Sequence, residues 1–434
     1  MSSSWQKTKL GEHVEVLTGF PFKSNFYTDS SDAIKLLRGD NIVQGNLRWD
    51  GVRRWPAVEA EQFTSYSLRL GDVVLAMDRP WIEAGLKYSR ITEADLPCLL
   101  VQRVARLRAK EQLDQGFLHQ LIGSREFTEH ILSVQTGTAV PHISASQIKA
   151  FEFQLPSLPE QKAIARILSS LDDKIELNRR MNATLEALAQ TLFRAWFVAF
   201  EPVKANAAGL QPVAMDAETA AIFPSEFETS TYGPIPKGWR ISTIGDETHV
   251  VGGSTPSTHN ADFWEEGKIH WATPKDLSRL SSPVLLDTER KITLPGLKQI
   301  GSGLLAEGTV LLSSRAPIGY IAIAEVPLAI NQGFIAMECQ SLLPNHYIRL
   351  WAEHNMEAIK SRANGTTFQE VSKTNFRSLP ILVPSISALD AFQTLMKPIY
   401  SRTVANLRET QTLATLRDSL LPKLIAGQVR VPIS

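Results

Sequence analysis

The chain has 434 residues, equal numbers of acidic and basic side chains, and two cysteines. This length predicts two or more domains, and the zero net charge excludes a molecule that binds polyanions over its whole surface. Cys98 and Cys339 are too few and too far apart for a disulfide framework or a zinc site.

Residues 1–155 are predicted to form a first globular unit. Two β-rich runs, Asp72–Met77 and Leu99–Leu107, alternate with glycine and asparagine turns, and Gln115–Ser133 has the pattern of a helix. The start of the chain lacks the apolar segment of a signal peptide, and no segment has 18 uninterrupted apolar residues. We therefore expect a soluble, cytoplasmic protein that makes no membrane contact.

The segment 156–200 is predicted to contain one long helix, from Pro159 to Phe197. Its apolar residues recur at alternating spacings of three and four, as in a coiled coil, which indicates a partner helix. At about 1.5 Å per residue the helix would be roughly 58 Å long, more than a small domain needs. The positions predicted to face inward are Ile164, Leu168, Leu171, Ile175, Asn178, Asn182, Leu185, Ala189, Leu192 and Trp196.

The sequence repeats approximately after 228 residues, as the match of Gly137-Thr138 to Gly365-Thr366 shows. The same offset places a second long helix at Ala388–Leu424, within a distal segment 385–434 that also holds the carboxyl-terminal tail. Pro398 is expected to kink this helix or to delay its start. Several apolar residues of this second helix match inward positions of the first helix at the same offset: Phe392, Met396, Ile399, Leu413 and Leu420.

A polar interruption of the apolar pattern is repeated too, because Asn178 falls on Asn406. An asparagine at such a position lowers stability but fixes register when it meets another asparagine. Asn178 lies at the midpoint of the first helix, where an antiparallel pair brings equivalent residues together. We predict that Asn178 and Asn406 set the helix register; the alternative is that both face solvent.

Between the two halves, residues 201–232 are predicted to be a linker, because alanine and proline are frequent there and no periodicity is strong. Residues 233–384 then form a second globular unit, with strands expected at Thr309–Ser313 and Tyr320–Ala324. The fold is therefore predicted to be α+β, with two similar globular units, two long antiparallel helices and a pseudo-twofold internal repeat. Duplex DNA, which has its own local twofold symmetry, is a natural partner for such a molecule.

Several short segments, in this order along the chain, resemble the specificity subunit of type I restriction-modification systems. The second unit contributes Tyr232–Trp239 (YGPIPKGW), Gly253–Ser257 (GSTPS), Trp271–Leu277 (WATPKDL), Leu311–Gly319 (LLSSRAPIG) and Ala329–Phe334 (AINQGF). The helices contribute Leu158–Lys162 (LPEQK), Leu171–Ile175 (LDDKI) and Ser419–Leu424 (SLLPKL). The first unit departs most, with Met77–Pro80 (MDRP) where the second has Ser314–Pro317 (SRAP).

The resemblance implies that the globular units are target recognition domains, each reading one half of a bipartite, asymmetric site in double-stranded DNA. It also implies that the helices set the spacing and dock two methyltransferase (M) subunits, which restriction (R) subunits join. In such systems S-adenosylmethionine, ATP and Mg²⁺ are bound by the partner subunits, so no cofactor is expected here.

The residues themselves also indicate a chain without its own catalytic or metal site. No G-x-x-x-x-G-K-[ST] loop for nucleotide phosphates and no H-E-x-x-H motif occurs. Asp172 and Asp173 are adjacent on a helix and diverge by about 100 degrees, so a solvated face or an interface is favoured over a metal site.

Candidate DNA-binding residues are cations, amides, hydroxyls and a histidine near predicted turns. Arginine, lysine and asparagine reach both phosphates and base edges, and the residues in the turns before the long helices suit phosphate contacts. Ordinary surface, packing and capping roles are the alternative for each of them. The candidates are Arg38, Asn41, Arg48, Arg53, Arg54, Arg79, Thr138 and His142 in the first unit, and Thr273, Lys275, Arg315 and Thr366 in the second.

Two classes of function fit this pattern. The leading prediction is a DNA sequence-recognition subunit without catalytic activity. The alternative is a structural adaptor whose helices assemble partner enzymes and whose globular units bind protein. A self-contained methyltransferase or nuclease is disfavoured by the missing motifs.

Overall fold

The computed structural model of the protein describes residues 5–315, 317–339, 342–365 and 369–432. These residues form two compact units, the first within 1–176 and 410–434 and the second within 177–409. Each unit therefore includes part of both long helices. The predicted position of Thr366 lies outside the described residues.

The first unit holds short strands and helices before the first long helix. Its strands are β1 (Gln6–Lys9), β2 (Val14–Thr18), β3 (Ile34–Leu37), β4 (Arg54–Trp55), β5 (Val73–Ala76), β6 (Trp81–Ile82), β7 (Gly85–Leu86), β8 (Tyr88–Arg90), β9 (Cys98–Leu100), β10 (Val104–Ala109) and β11 (Glu152–Leu155). Its helices are α1 (Leu10–His13), α2 (Ala57–Ala60), α3 (Gln115–Ile122), α4 (Arg125–Val134) and α5 (Ala145–Lys149), with a 3-10 turn at Gly39–Asn41.

The chain continues through the long helix α6 (Leu158–Phe197), α7 (Glu201–Ala207) and α8 (Ala217–Ala221) into the second unit. The strands there are β12 (Phe227–Ser230), β13 (Gly233–Pro236), β14 (Arg240–Thr243), β15 (His249–Gly252), β16 (Ile269–Ala272), β17 (Val284–Leu285), β18 (Arg290–Ile292), β19 (Val310–Ser313), β20 (Ile321–Ala324), β21 (Leu328–Ile330), β22 (Phe334–Glu338) and β23 (Pro380–Val383). The helices are α9 (Ile244–Glu247), α10 (Pro274–Ser278), α11 (Leu294–Leu297), α12 (Asn345–His354), α13 (Met356–Ser361), α14 (Lys373–Arg377) and the second long helix α15 (Ile386–Ile425).

The two units share one sheet topology, so the repeat predicted from the sequence is confirmed as a repeated α+β fold. The first has the antiparallel order β2-β10-β5-β8, and the second has β15-β22-β19-β20 with β17 added in parallel. A mixed sheet β4-β3-β9 is matched by β18-β16-β21, in which β3 and β16 each pair in parallel with one neighbour. The pair β1-β11 is matched by β14-β23.

Each unit has one glycine, at matching places, that allows two backbone segments to approach closely. A Cβ on Gly19 would lie 2.1 Å from the carbonyl oxygen of Val101, and one on Gly253 would lie 1.9 Å from that of Ile330. No side chain fits at such distances, so the close approach of the two backbone segments requires glycine in both units.

The burial of α6 confirms the inward-facing positions predicted from the apolar pattern. Of the ten positions predicted to face inward on α6, seven are buried and Leu171, Leu185 and Leu192 are partly buried. In the second unit, Phe193, Trp196 and Phe197 of α6 pack on Phe392 of α15, with ring centroids 5.0 Å apart for Phe197 and Phe392. In the first unit, Leu168 of α6 and Leu424 of α15 share one core with strands and α3.

The two long helices run antiparallel within each unit. In the second unit Asn178 bonds Glu409 while Asn182, one turn later on α6, bonds Thr403, six residues earlier on α15. In the first unit Asp172 pairs with Arg417. The expected delay of the second helix by Pro398 is wrong, because α15 begins at Ile386 and runs through that proline. Burial of its apolar side against the partner helix offsets the one lost backbone hydrogen bond.

A second difference from the sequence prediction concerns Gln115–Ser133, which forms two helices rather than one. The first ends at Ile122 with Gly123 as its C-cap, and the hydroxyl of Ser124 accepts a hydrogen bond from the amide of Phe127 at the start of the next. A serine that caps a new helix ends the previous one, because its side chain competes for backbone donors. The segment predicted as a linker, 201–232, contains α7, α8 and β12.

Candidate nucleic-acid interface

A cavity of about 800 Å³ in the first unit collects cationic side chains from four separate parts of the chain. Three of its cations, Arg38, Arg53 and Arg79, were candidates from the sequence. Lys87 and Arg103 add two more. The acids Asp29, Asp40 and Asp78 also line it, with Tyr27 and Gln102. The cavity is therefore polar and carries an excess of positive charge.

Strand ends and tight turns bring these side chains together. Arg38 follows β3 at the 3-10 turn, Arg79 follows β5, and Arg103 lies between β9 and β10. The amide of Arg79 donates to the carbonyl of Pro141 at 2.7 Å, and the amide of Met77 donates to that of Arg103 at 2.8 Å. These backbone bonds tie the loops that carry the arginines to one another.

Arg79 and Arg103 both adopt left-handed backbone conformations, with φ of 45° and 67°. Such conformations are costly for residues with a side chain, by about 1–3 kcal/mol in sparsely populated regions, and they cluster at functional sites. Here the two occur on the same cavity. The backbone thus holds two long cationic side chains in place at the expense of local stability.

The arginines of the cavity are only loosely paired within the protein. Arg38 lies 3.3 Å from Asp40, Arg53 lies 3.8 Å from Asp29, and Arg103 lies 3.6 Å from Asp78. All six side chains are exposed by more than a third. Exposed pairs of this kind contribute about 0–1 kcal/mol, so these guanidinium groups remain available to an anionic partner such as a phosphate.

Lys87 lies deeper in the same cavity. Its burial lowers the pKa of its ammonium group below the usual value, Asp40 opposes this change, and Arg79 and Arg48 add to it. The contributions of the two arginines agree with the cluster of cationic side chains that lines the cavity. A phosphate placed here would relieve that repulsion and raise the pKa of Lys87.

The other first-unit candidates have local roles or lie outside the cavity lining. Asn41 is buried: its side chain accepts from the amide of Arg38 at 3.0 Å and donates to the carbonyl of Arg48 at 3.0 Å. Arg54 donates to the carbonyl of Ala33 at 3.0 Å. Arg48, Thr138 and His142 are exposed, and the ring of His142 lies 3.1 Å from the hydroxyl of Thr136.

In the second unit the candidates occupy the matching turns. Thr273 precedes α10, and its amide and hydroxyl both donate to the carboxylate of Asp276 at 2.7 Å, so it caps the helix. Lys275 is exposed and pairs with Glu289 at 3.2 Å. Arg315 pairs with Glu370 at 3.6 Å. The DNA contacts predicted for these residues stay predictions.

Some residues that line the cavity were missed by the sequence analysis. Gln102 and Arg103 interrupt the apolar run Leu99–Leu107, and that interruption is the signal that could have found them. Lys87 carries no such signal, since its place depends on the pairing of β5 with β8. In the second unit, Arg290 stacks over Trp264 with 3.6 Å between the guanidinium carbon and the ring centroid.

The asparagines of the helix seam form a buried cluster in the second unit. The side-chain amide of Asn406 donates to the side-chain oxygen of Asn182 at 2.8 Å, and that of Asn178 lies 3.4 Å from the carbonyl of Asn406 and 2.8 Å from the Glu409 carboxylate. All three asparagines are at most 3% exposed. Asn178 and Asn406 thus face the helix pair, and their role in fixing its register stays a prediction.

The thiols offer no nucleophile suited to neutral pH. Burial raises the pKa of Cys98 to about 12 and that of Cys339 to about 12, and nearby carboxylates act in the same direction. Among the residues that the structure describes, no three histidine, cysteine or acidic side chains are grouped to hold a metal ion. In the same residues, no helix is long and apolar enough to cross a membrane.

Comparison with known proteins accounts for the duplicated fold. The family model of the type I restriction modification DNA specificity domain matches residues 2–187 and again residues 236–408. The chain belongs to this family. Each of the two matches includes one set of the repeated sheets, which agrees with the duplication predicted from the sequence.

Two curated relatives match more than two thirds of the chain and of their own length. The chain is 27% identical to the type I restriction enzyme HindI specificity subunit of Haemophilus influenzae, over 72% of this chain and 77% of that one. It is 27% identical to the MjaIX specificity subunit of Methanocaldococcus jannaschii, over 74% and 71%. The crystal structure of the type I restriction-modification S subunit from M. genitalium has the same fold, with a TM-score of 0.58, 16% identity and coverage of 98% and 97%.

Proposed function

We propose that this chain is the DNA sequence-recognition subunit of a type I restriction-modification complex, in which each globular domain reads one half of a bipartite, asymmetric site. The proposal depends on one observation: this member of a family of DNA specificity domains contains the same backbone fold twice. The two copies carry different polar side chains at the matching turns. Two domains of one design with different surfaces suit two half-sites of different sequence.

The cavity of the first unit is the proposed contact with the first half-site. Its five cations would meet phosphates, while Gln102 and the acids would meet base edges, since arginine, glutamine and carboxylates have complementary partners in the major groove. The adaptor alternative gives no reason for a cation-rich cavity on a chain with zero net charge.

The long helices are the proposed docking surface for two methyltransferase subunits. Exposed apolar residues recur on them at the repeat distance of 228 residues: Leu188 and Leu416 are 46% and 45% exposed, and Ile167 and Leu395 are 37% and 41% exposed. In the second unit Leu188 and Leu395 line one groove of about 1000 Å³. Apolar surface repeated in this way suits two copies of one partner.

The chemistry is assigned to the partners. Methyltransferase subunits would bind S-adenosylmethionine, restriction subunits would bind ATP and Mg²⁺, and this chain would supply the sequence preference without catalysis.

Substitutions on the long helices test the proposed docking surface. Leu188→Glu and Leu416→Glu should each leave a complex with one methyltransferase subunit, and the double variant should bind none. Native mass spectrometry measures this stoichiometry, and two copies bound to the double variant would refute the assignment.

The test of DNA reading is methylation mapping with the assembled complex on randomised DNA. Arg79→Ala should lower methylation of cognate DNA and make log K less steep against log salt by about 0.9 for each lost phosphate contact. The matched control is Arg125→Ala on α4, whose side chain is 84% exposed and pairs with Glu129 outside the cavity lining. Equal behaviour of the two variants would remove the cavity from the interface.

Exchange of one domain tests the bipartite arrangement. Replacing residues 1–155 with those of a relative should change one half of the recognised sequence and leave the other half unchanged. A simultaneous change of both halves would contradict the assignment of one half-site to each domain.

A further inference from the structure

The turn after β5 in the first unit and the turn after β19 in the second have the same backbone hydrogen bonds. The amide of Met77 donates to the carbonyl of Arg103, and the amide of Ser314 donates to that of Gly333, both at 2.8 Å. Next in the chain, Asp78 forms a β-bridge with His142, and Arg315 forms one with Glu370. Asp78 and Arg315 therefore occupy equivalent positions, although their charges are opposite.

The turn after β3 and the turn after β16 are equivalent in the same way. The amide of Arg38 donates to the side chain of Asn41 at 3.0 Å, and the amide of Thr273 donates to that of Asp276 at 2.7 Å. The second residue inside each turn is Asp40 in the first unit and Lys275 in the second. An acid again stands where the other unit has a cation.

In the first unit both acids line the cavity described above, together with Arg38, Arg79 and Arg103. Neither acid is needed for a buried ion pair, because Asp78 lies 3.6 Å from Arg103 and Asp40 lies 3.3 Å from Arg38, with exposed side chains. On a surface that must meet phosphates, an acid weakens binding to every sequence alike. Exposed acids at these two turns, among five cations, therefore point to a selective contact.

A carboxylate and a cation read opposite patterns on base edges. A carboxylate accepts a hydrogen bond from the amino group of cytosine, whereas arginine and lysine donate to O6 and N7 of guanine. We infer that Asp78 and Arg315 are specificity-determining residues at equivalent positions of the two half-sites, the first selecting an amino group and the second selecting guanine. Asp40 and Lys275 likewise occupy equivalent positions of the two units and carry opposite charges, so we assign them the same two roles.

This inference depends on the proposed function, since it assigns roles within the DNA-reading surface. It explains how one fold can read two different sequences without a change of backbone. The side-chain charge is inverted at a fixed place, so the donors and acceptors presented to the groove are exchanged. It also implies that each acid lowers affinity for unrelated DNA while it raises selectivity.

The experiment compares methylation by the assembled complex on randomised DNA for the wild type and for Asp78→Asn, Asp78→Arg and Arg315→Gln. Asp78→Asn should weaken the preference at one position of one half-site by about 5-fold or more and raise binding to unrelated DNA. Asp78→Arg should shift that position toward guanine. Arg315→Gln should weaken the preference at one position of the other half-site only.

The matched control is Glu129→Gln, which removes an exposed acid of the first unit outside the cavity lining. It should leave every position unchanged. If an Asp78 variant fails to assemble, Asp40→Asn with Lys275→Gln makes the same test at the second pair. A preference that survives at all positions in these variants, or a loss that is equal for all sequences, would overturn the inference.

The outcomes separate the inference from the function on which it depends. A wild-type complex with no bipartite preference would contradict the proposed function itself. A wild-type complex with a clear bipartite preference, unchanged in the charge variants, would leave the function standing and remove these residues as determinants.

Discussion

The asparagine cluster between the long helices allows a quantitative test of how register is specified. Asn182 and Asn406 are 3% and 1% exposed, and 2.8 Å separates the oxygen of the first from the side-chain nitrogen of the second. Replacing either by alanine leaves a buried amide group without its partner, which costs about 1–3 kcal/mol. We therefore expect both Asn182→Ala and Asn406→Ala to destabilise the helix pair by about that amount.

The double variant should cost less than the sum of the two, because the second substitution removes a group that the first had already left unpaired. The expected coupling free energy is about 1 kcal/mol. The chain has two units, so one global unfolding transition is not assumed; native-state hydrogen exchange of peptides from 177–197 and 386–409 measures local opening instead. Thr184→Ala is the control, since that exposed hydroxyl bonds the carbonyl of Arg180 on its own helix. Additivity within about 0.5 kcal/mol would refute the argument.

Two further predictions concern the second unit. Gly253→Ala should cost about 3 kcal/mol or more, because its Cβ would lie 1.9 Å from the carbonyl oxygen of Ile330, whereas Gly301→Ala meets nothing within 4 Å and should change stability by at most about 0.5 kcal/mol. Native-state hydrogen exchange of peptides from the second unit compares them, and similar losses would contradict the packing account. Burial lowers the pKa of His346 from 6.5 to about 4. Between these two pH values the histidine is protonated in the unfolded chain and neutral in the folded chain. The neutral His346 should therefore contribute up to about 3 kcal/mol to the free energy of unfolding. This contribution is fully present above pH 6.5 and is lost as the pH falls toward 4. His346→Phe should flatten this pH dependence; an unchanged profile would exclude the histidine as its source.

The fold could be predicted largely because the sequence contains it twice. Each weak local signal, such as a glycine turn or an apolar run, gained support from its repeat. The helix periodicity also sufficed to select the buried face of α6, including Asn178 and Asn182. Proline was less informative: Pro398 lies inside α15 because long-range packing outweighs a single lost hydrogen bond.

The candidate site was less accessible to sequence reasoning. Arg38, Arg53 and Arg79 were found because they stand beside predicted turns, and the structure places them on one cavity. Lys87 reaches it through the pairing of β5 with β8, which no local pattern encodes, whereas Arg103 carried only the weak signal of a break in an apolar run. The midpoint argument paired Asn178 with Asn406, and the side chain of Asn178 does lie 3.4 Å from the backbone carbonyl of Asn406, but it did not predict that the side-chain amide of Asn406 donates to Asn182. The stagger of an antiparallel pair depends on packing along its whole length.

The repeated turns separate what must be kept from what can vary. Their hydrogen bonds join backbone groups, as from Met77 to Arg103 and from Ser314 to Gly333, so they persist whatever side chains the turns carry. The exposed residue at the same place is free to be an acid in one unit and a cation in the other, at little cost to folding. Divergence should therefore concentrate at positions such as Asp78 and Arg315, whose side chains are 39% and 35% exposed. A recognition domain built on such turns can acquire a new DNA preference by substitution, while the glycine contacts and the long helices that position it stay unchanged.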